Sequence, residues 1–460
     1  MGSTEELNPF TIKNLPYGVI SSSDNPAKRC ATVFKDNAID LSVLYTEGVF
    51  SLVDGLRENV FNREHLNAFA ALPRSTRQEV RKILMEHLSA SDSKLPKTAL
   101  LPLANVENHF PMDTRNFTDF YCSLEHTSNC SLAAQGRVAI SPSWFTAPMA
   151  YNGRTSSLVI SGTSFKRPCG VFAAPSPPLF ISPPSSSSSS SKDAKPTARL
   201  QPEVAMDFEL EMGVFLSEPV PRGERLDLSH AQDKIFGMVL LNDWSARATQ
   251  IFEMGSALGP FHGKGSATSV SPWIVPVEAL LQGTAPRHAD VMEAKTKKLQ
   301  EEESGGAEDN VLETLEHLRW KKEDEDKATW DVELTAKIIR DGKSYTVTQS
   351  NLNELYWTPF QQLAHLSSAG EGLSTGDLFG TGTISSARTN EAGEKTGLGC
   401  LFERKAPVNK LSTAPEGIAE TFLLDGDRVV FEGWCRDAKT KEVLFGFGKC
   451  EGQVLPAQVL

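Results

Sequence analysis

The sequence has little that favours binding to nucleic acid or insertion into a membrane. Its 46 Lys and Arg residues are outnumbered by 58 Asp and Glu residues, which gives a net charge of -12. Because nucleic acids and anionic lipids attract clustered positive charge, we expect a small-molecule substrate instead. No apolar run approaches the roughly 20 residues that a membrane-spanning helix needs. The opening segment "MGSTEELNPF" has neither a basic stretch nor an apolar run, so we expect no signal peptide.

The sequence also lacks the cysteine pattern of a disulfide-rich protein. Its seven cysteines include no CxxC pair and are scattered from Cys30 to Cys450, which is typical of reduced thiols in a reducing compartment. We therefore predict a cytoplasmic protein. HExxH, GxSxG and a GxGxxG turn after a strand are absent too, which disfavours a zinc peptidase, a serine hydrolase and a dinucleotide-binding enzyme.

Strand patterns outnumber helix patterns, so we predict a mostly β fold with some α-helix. In "DVELTAKIIRDGKSYTVTQ", apolar and polar residues alternate around Asp341 and Gly342, which predicts a hairpin. A second strand pair is predicted in "TFLLDGDRVVFEGWC" and "KEVLFGFGKCEG". The segment "STRQEVRKILMEHL" predicts a helix, with Thr76 and Glu79 as a capping box. A proline-rich connection after it predicts two domains, 1–115 and 116–460.

Two segments, 174–198 and 284–328, have the composition of insertions. The first is rich in Pro and Ser and the second in charged residues, and neither composition buries enough apolar surface to offset its ordering entropy. We predict that both are disordered or solvated, with a short helix near "VLETLEHLRW". We expect no catalytic residue in either.

The stretch "TDFYCSLEH" places a carboxylate, a phenol and an imidazole within eight positions, in Asp119, Tyr121 and His126. For a short stretch of this composition, a polar surface loop is one explanation, and one wall of an active site is the other. Cys122 and Cys130 flank His126, and we interpret them as small packing residues rather than as nucleophiles or soft-metal ligands.

Three further acids belong to strand patterns. In "MDFELEMGVF", Glu209 and Glu211 alternate with apolar residues, so they point to one face of a strand. That face is either solvated or shares a cation. Asp243 ends the buried strand predicted in "FGMVLLNDWSAR", where it is either a helix cap or a ligand. With Asp119, these residues supply the oxygen ligands that suit Ca²⁺ or Mg²⁺, although spacing alone does not show that they converge.

The chain resembles the fumarylacetoacetase (fumarylacetoacetate hydrolase) family over nearly its whole length, apart from the two insertions. The resemblance rests on the order of nine stretches: "TDFYCSLEH", "YNGR", "DFELE", "GMVLLNDWSAR", "LGPFHGK", "SPWIVP", "ELYWTPFQQLAH", "GDLFGTGTIS" and "FLLDGDRVV". It implies an N-terminal SH3-like β-barrel, a mixed β-sandwich roll catalytic domain and a homodimer. It further implies hydrolysis of the carbon–carbon bond of a β-diketone, fumarylacetoacetate, to fumarate and acetoacetate, in tyrosine and phenylalanine catabolism.

The same resemblance implies a role for each matching residue. The metal site, for Ca²⁺ or Mg²⁺, would comprise Asp119, Glu209, Glu211, Asp243, Lys264 and Thr268. His126 would be the general base, Glu403 the carboxylate that orients it, and Lys264 a stabiliser of developing negative charge. The substrate would contact Tyr121, Gln135, Tyr151, Gln250 and Thr383.

Two positions depart from the family pattern. Gln135 stands where the family has an arginine, so a charge-assisted, bidentate contact with a carboxylate is lost. Asn152 stands where the family usually has histidine, and asparagine does not titrate. One alternative is therefore a paralogue that hydrolyses an acylpyruvate or another diketo acid, or a decarboxylase of the same superfamily. Another is a metal-binding scaffold with weakened catalysis, although a scaffold would need neither His126 nor Glu403.

Overall fold

Three β-sheets of five or more strands organise the described part of the chain. The computed structural model describes residues 7–90, 95–174, 197–256, 258–288, 296–297, 299, 314–409, 418 and 421–458. The predicted fold class is confirmed: the chain is mostly β, with an N-terminal domain followed by a larger β domain. Within the described ranges, no helix is both long and apolar enough to span a membrane.

The secondary structure consists of short helices placed between strands. In chain order the described strands are β1 Tyr17–Ser22, β2 Arg29–Phe34, β3 Asn37–Asp40, β4 Leu100–Pro102, β5 Val106–His109, β6 Phe117–Phe120, β7 Ala150–Asn152, β8 Leu158–Ile160, β9 Ser164–Lys166, β10 Cys169–Ala174, β11 Thr197–Pro202, β12 Met206–Asp207, β13 Leu210–Leu216, β14 Ile235–Asp243, β15 Ser245–Ala246, β16 Thr268–Val270, β17 Val275–Pro276, β18 Thr284–Ala285, β19 Thr329–Trp330, β20 Val332–Arg340, β21 Lys343–Asn351, β22 Leu378–Gly380, β23 Arg428–Arg436 and β24 Val443–Leu455. The described α-helices are α1 Leu41–Thr46, α2 Asn67–Ala70, α3 Arg74–Ser89, α4 Leu124–Gln135, α5 Arg247–Glu253, α6 Val277–Leu280 and α7 Pro359–Leu366.

The central sheet is buried on both faces. Its strand order is β7-β6-β22-β13-β14-β16-β8, and β17 also pairs with β14. On β14, Met238 and Leu240 belong to the core shared with the C-terminal sheet, whereas Val239 and Leu241 belong to the core shared with the N-terminal domain. This double burial explains the nearly unbroken apolar run of β14.

The N-terminal domain contributes a five-stranded antiparallel sheet in the order β4-β3-β2-β1-β5. Tyr17 on β1 packs against Phe236 of β14, with ring centroids 6.1 Å apart, and it pairs with Ile274 through an isolated bridge. The N-terminal domain therefore covers one face of the central sheet. The boundary between residues 115 and 116 stays a prediction.

The C-terminal sheet has the order β21-β20-β23-β24-β9. Strands β20 and β21 form the predicted hairpin, in which Arg340 pairs with Lys343. Asp341 and Gly342 both have positive φ, 51° and 75°, as the tight two-residue turn requires. Strands β23 and β24 form the second predicted pair.

Helix α3 is present, but the predicted capping box is wrong. The helix begins one residue after Pro73 and has no side-chain cap, because Thr76 donates its hydroxyl to the carbonyl of Asp54 instead. Val80 and Leu84 face the core, and Arg77 and Arg81 are buried beside them. Arg77 Nη1 donates to the carbonyl of Ala70 at 2.8 Å, and Arg81 Nη1 donates to the carbonyl of Asn14 at 2.5 Å.

The two predicted insertions are described only in part. Residues 175–196 of the first, and most of 289–313 in the second, lie outside the described residues. Residues 314–328 are described, and the predicted helix there is a 3-10 turn, Glu316–Leu318. Leu318 is fully buried, and its carbonyl accepts a hydrogen bond from Gln361 of α7 at 2.8 Å. This part of the second segment therefore packs on the domain rather than extending into solvent.

Candidate metal centre and active site

Four carboxylates converge at one end of the central sheet. Asp119 lies on β6, Glu211 on β13 and Asp243 at the end of β14, while Glu209 immediately precedes β13. Strand register brings them together: Gly380 of β22 pairs with Asp119, and Leu241 pairs with Glu211. Carboxylate oxygens of Asp119, Glu209 and Asp243 all lie within 4.8 Å of one another. The sheet thus gathers acids that are up to 124 positions apart in the chain, from 119 to 243.

All four carboxylates are buried, so the interpretation of the Glu209 and Glu211 face as solvated is wrong. Glu209 is 5% exposed and Glu211 is 1% exposed. Asp243 does not cap the next helix either, since α5 begins after Ala246 and has no side-chain cap. Water is therefore not the partner of this polar strand face, and its charges need partners within the protein or a cation.

Gly380 makes room between two of the carboxylates. A Cβ added at this glycine would lie 2.7 Å from Glu211 Oε2 and 3.1 Å from Asp119 Oδ1. Gly380 sits on the strand between those that carry the two acids. A side chain at position 380 would therefore occupy the space that both carboxylates face.

We expect a divalent cation such as Mg²⁺ to raise the Tm of the wild-type protein, and Gly380→Ala to lose most of that rise, because the methyl group would displace the two carboxylates. Overpacking by one methyl typically destabilises a core by roughly 1 to 3 kcal/mol. The matched control is Gly433→Ala, whose Cβ would meet only flexible core side chains, the nearest being Leu240 Cδ2 at 2.9 Å. Differential scanning fluorimetry should show a Mg²⁺-dependent rise in Tm for the control and little rise for Gly380→Ala. Equal rises would contradict the assignment.

Protein groups satisfy some of the carboxylate oxygens. Lys264 donates to Glu209 Oε2 and to Asp243 Oδ2, the latter at 2.6 Å, and Thr268 donates to Asp243 Oδ1 at 3.1 Å. Tyr151 Oη lies 2.5 Å from Asp119 Oδ2 and 2.9 Å from Asp243 Oδ2, so its single hydrogen bridges two acids. The cluster therefore has one ammonium and one phenol at its border.

Within this cluster, two buried carboxylate oxygens have no hydrogen-bond partner, Asp119 Oδ1 and Glu211 Oε1. Burial and the neighbouring acids raise the pKa of Asp119 and of Glu211 well above the usual range. Burial also acts on Glu209, but Lys264 and Arg247 outweigh it and lower its pKa to about 2. Asp119 and Glu211 are thus buried acids that each have an oxygen without a partner and too little positive charge beside them. Such acids suit a hard divalent cation, which would accept these oxygens as ligands and balance their charge. Asp119, Glu209, Glu211 and Asp243 are the residues that would hold it.

His126 and Glu403 form a buried pair beside this cluster. Helix α4 begins after Ser123, whose side chain accepts a hydrogen bond from the His126 backbone N–H. His126 Nδ1 lies 2.8 Å from Glu403 Oε1, and Nε2 lies 3.9 Å from Glu209 Oε1. With Nδ1 bound to Glu403, Nε2 is the nitrogen directed toward the carboxylate cluster.

Glu403 is itself held by several donors. Ser385 donates to Oε1 at 2.7 Å, the Gly399 N–H donates to Oε1 at 3.1 Å, and Asn129 donates to Oε2 at 2.9 Å. Although burial opposes the charge, His126 keeps the pKa of Glu403 below its usual value. Burial likewise opposes the imidazolium, yet Glu403 raises the pKa of His126 to about 10. A cation among the carboxylates would lower that value by electrostatic repulsion.

The remaining residues named from the sequence surround this centre at different depths. The Tyr121 ring packs edge-on against the His126 imidazole, with centroids 5.2 Å apart, and Thr383 is buried beside Gly382, whose N–H donates to Glu211. Gln250 accepts from Arg247 at 3.0 Å. Gln135 is exposed at the last position of α4, roughly 13 Å along the helix axis from His126. Its role in substrate binding stays a prediction.

Sequence reasoning missed two buried residues that position the centre. Arg247 pairs with Glu209 Oε1 and with Asp207 Oδ2, both at 2.9 Å. Asp207 also accepts the backbone N–H groups of Leu401 and Phe402, which fixes the turn that carries Glu403. One signal was available: Asp207 shares the alternation of Glu209 and Glu211 in "DFELE".

Comparisons with known proteins cover nearly the whole chain. A family model described as fumarylacetoacetate (FAA) hydrolase C-terminal matches residues 115–455, and one described as fumarylacetoacetase N-terminal matches residues 13–111. The fumarylacetoacetase of Rattus norvegicus is 34% identical over 466 residues, covering 98% of this chain and 97% of that protein. The fumarylacetoacetase of Arabidopsis thaliana is 35% identical over 462 residues, covering 97% and 96%. A solved fumarylacetoacetate hydrolase from psychrophilic Exiguobacterium antarcticum is similar at 13% identity, with a TM-score of 0.47 and coverage of 96% and 99%.

Proposed function

This chain belongs to the fumarylacetoacetate hydrolase family, and from that premise we propose that it is a divalent-metal-dependent hydrolase of fumarylacetoacetate. One observation carries the proposal: the His126–Glu403 pair reaches the carboxylate cluster, with Nε2 3.9 Å from Glu209 Oε1. A general base beside a metal site is one arrangement that supports attack of water on a carbonyl group. A scaffold would have no use for it.

In the reaction, His126 Nε2 accepts a proton from water, and the resulting oxygen nucleophile adds to the carbonyl carbon of the fumaryl group. Glu403 holds the Nδ1 proton and stabilises the imidazolium. The bond between that carbon and the adjacent methylene breaks, its electron pair remains on the acetoacetate fragment as an enolate, and protonation completes the reaction. A bound divalent cation supplies Lewis acidity to the substrate oxygens. The Lys264 ammonium adds positive charge near the enolate.

The finer assignments are part of the same proposal. We favour Mg²⁺ or Ca²⁺, because all four candidate ligands are carboxylates. The reaction would be a step of tyrosine and phenylalanine catabolism in the cytoplasm, and the seven cysteines, all free, support a reducing compartment. We further propose a homodimer. The exposed apolar side chains of Phe252, Met254, Leu258 and Phe261 support a covered surface there, and light scattering would measure the molar mass.

Loss of substrate ultraviolet absorbance tests the activity. Purified protein with Mg²⁺ should consume fumarylacetoacetate rapidly and release fumarate and acetoacetate. A panel of acylpyruvates and other diketo acids serves as the comparison. Faster turnover of one of these would favour the paralogue that the Gln135 and Asn152 changes suggest. Absence of turnover with every compound would refute the hydrolase.

We expect Gln135→Arg to lower KM for fumarylacetoacetate by about 10-fold, because a charge-assisted contact with a substrate carboxylate stabilises the complex by roughly 1.5 to 3 kcal/mol. The change should leave kcat close to the wild-type value. Arg137→Gln is the matched control, since Arg137 is equally exposed two residues further on. Steady-state kinetics measure both. An unchanged KM in Gln135→Arg would show that position 135 does not contact the substrate.

We expect the metal-free protein to lose thermal stability as the pH rises from 6.5 toward 10. Burial lowers the pKa of His126, but Glu403 outweighs burial and raises that pKa from 6.5 to about 10. The protonated imidazole therefore stabilises the fold fully below pH 6.5, and this stabilisation is lost as the pH rises past the pKa of the folded protein. The raised pKa values of Asp119 and Glu211 act in the same direction. Cations displace these protons, so the Tm increment from Mg²⁺ should grow with pH in calorimetry. A metal-free Tm that rises over this window would oppose the account.

A further inference from the structure

A carboxylate binds the turn that carries Lys264. Glu253, the last residue of helix α5, accepts hydrogen bonds from three consecutive backbone N–H groups of this turn. Its Oε2 accepts from Phe261 at 2.8 Å and from Gly263 at 3.0 Å, and its Oε1 accepts from His262 at 2.7 Å. Successive N–H groups directed at one point form a nest, which binds an anion. Here the anion belongs to the protein itself, so the turn is tied to the end of α5.

The same turn packs closely on the backbone of α5. A Cβ added at Gly263 would lie 2.6 Å from Gln250 Cβ and 2.8 Å from Gln250 N, so only a glycine allows this approach. After the turn, the carbonyl of Gly265 accepts a hydrogen bond from the Ser157 hydroxyl at 2.8 Å. Lys264 lies between these two contacts and is buried. The place of its ammonium therefore depends on how firmly the turn is held.

Helix α5 and the turn hold the carboxylate cluster together. Arg247, Gln250 and Glu253 follow one another on α5 at intervals of three residues, a spacing that places side chains on one side of a helix. Arg247 pairs with Glu209 Oε1 at 2.9 Å and donates to Gln250 Oε1 at 3.0 Å. From the turn, Lys264 donates to the other oxygen of Glu209. Glu253 links the two elements that meet at this acid.

We propose that Glu253 is a positioning residue: its carboxylate holds the turn of residues 261–264 against α5 and thereby fixes the Lys264 ammonium beside the carboxylate cluster. A positive charge stabilises a developing enolate best when it is in place before the reaction begins. Hydrogen bonds to a carboxylate suit this purpose, because they are stronger than those between neutral groups. The effect on catalysis rests on the proposed function, but the anchoring of the turn does not.

The test compares wild type and Glu253→Ala, both saturated with Mg²⁺, by amide hydrogen exchange of residues 261–264 and by turnover of fumarylacetoacetate. The three N–H groups should exchange slowly in the wild type and rapidly in the variant. We expect kcat to fall by about 10- to 100-fold, as for a catalytic group displaced by roughly 1 Å, and KM to change less than kcat.

Formate should reverse both effects. Glu253 is half-buried, so this small carboxylate can reach the vacated nest from solvent. Formate should slow the exchange in Glu253→Ala and raise its kcat by at least about 5-fold, because it restores charge-assisted hydrogen bonds. Formamide, which has the same shape without the charge, and sodium chloride at equal ionic strength should do neither.

Two further variants complete the test. Glu253→Gln fills the nest with a neutral amide that has a single acceptor oxygen, so its kcat should also fall and formate should not restore it. If Glu253→Ala fails to fold, Glu253→Gln supplies the comparison of exchange and kcat. Glu79→Ala is the control, because Glu79 is an exposed acid of helix α3 that pairs with Lys82 at 3.6 Å. It should keep the exchange and kcat of the wild type.

The outcomes separate this proposal from the proposed function. A wild type that turns over no diketo acid, with exchange that responds to Glu253→Ala and to formate, would refute the hydrolase and leave the anchoring of the turn standing. Rapid exchange with an unchanged kcat would refute the positioning role alone. Slow exchange in Glu253→Ala, or a loss of kcat that formate does not reverse, would also overturn the proposal.

Discussion

His126→Ala should lower kcat for fumarylacetoacetate by about 100- to 10,000-fold, the range typical of a lost general base. The reason is geometric: His126 Nε2 faces the carboxylate cluster while Nδ1 is held by Glu403 at 2.8 Å. The variant should keep its Mg²⁺-dependent rise in Tm, because His126 is not among the four proposed carboxylate ligands. A kcat within about 10-fold of the wild type would exclude His126 as the base.

Glu403→Gln is the matched control, since it preserves shape and removes only the charge. Glu403 is the largest influence that favours the imidazolium against burial. Its neutralisation should therefore lower the pKa of His126 and shift the acidic limb of the kcat/KM profile to lower pH. A variant that loses activity without this shift would point to misfolding instead, and the Mg²⁺-induced rise in Tm would then be lost as well.

The second large effect should follow loss of the cation or of one of its ligands. Chelation by EDTA should abolish turnover, and Mg²⁺ or Ca²⁺ should restore it. Asp119→Asn should lower kcat/KM by at least about 100-fold, equivalent to roughly 3 kcal/mol of transition-state stabilisation. Asp119 contributes one of the two oxygens of the carboxylate cluster that lack a hydrogen-bond partner. Removing its charge should also remove the Mg²⁺-dependent rise in Tm.

Asp227→Asn serves as the control for the Asp119 variant. Asp227 is an exposed acid whose side chain caps a 3-10 turn by accepting a hydrogen bond from the Ser229 N–H. Ser229 is not part of the carboxylate cluster. It should retain both turnover and the response to Mg²⁺. Full activity of Asp119→Asn in EDTA would show that hydrolysis does not depend on the carboxylate cluster.

Local sequence patterns predict the individual strands well. The Asp341-Gly342 turn has the positive φ angles that its residues favour, and β14 ends at Asp243 where its apolar run ends. Such features depend on a few neighbouring residues, so periodicity reveals them. The capping box at Thr76 failed because a tertiary contact with Asp54 replaced the local one.

The candidate site could be assembled from the sequence only through the resemblance. Charge and alternation singled out Asp119, Glu209, Glu211 and Asp243, but strand order brings them together, and no local pattern encodes that order. The solvated interpretation of Glu209 and Glu211 was wrong because burial of the second face depends on what packs there. Gly380 and Arg247 were missed because their roles also depend on the tertiary structure. Gly380 leaves space for two carboxylates, and Arg247 pairs with Asp207 and Glu209.

The most direct test of the central claim is hydrolysis in water enriched in oxygen-18, followed by mass spectrometry of the products. With Mg²⁺ bound, the protein should convert fumarylacetoacetate to fumarate that carries one heavy oxygen, and neither the EDTA-treated protein nor His126→Ala should form labelled fumarate at a comparable rate. This result would show that water attacks the fumaryl carbonyl with help from the cation and His126. Release of carbon dioxide without labelled fumarate, or labelling that persists in EDTA, would contradict the account.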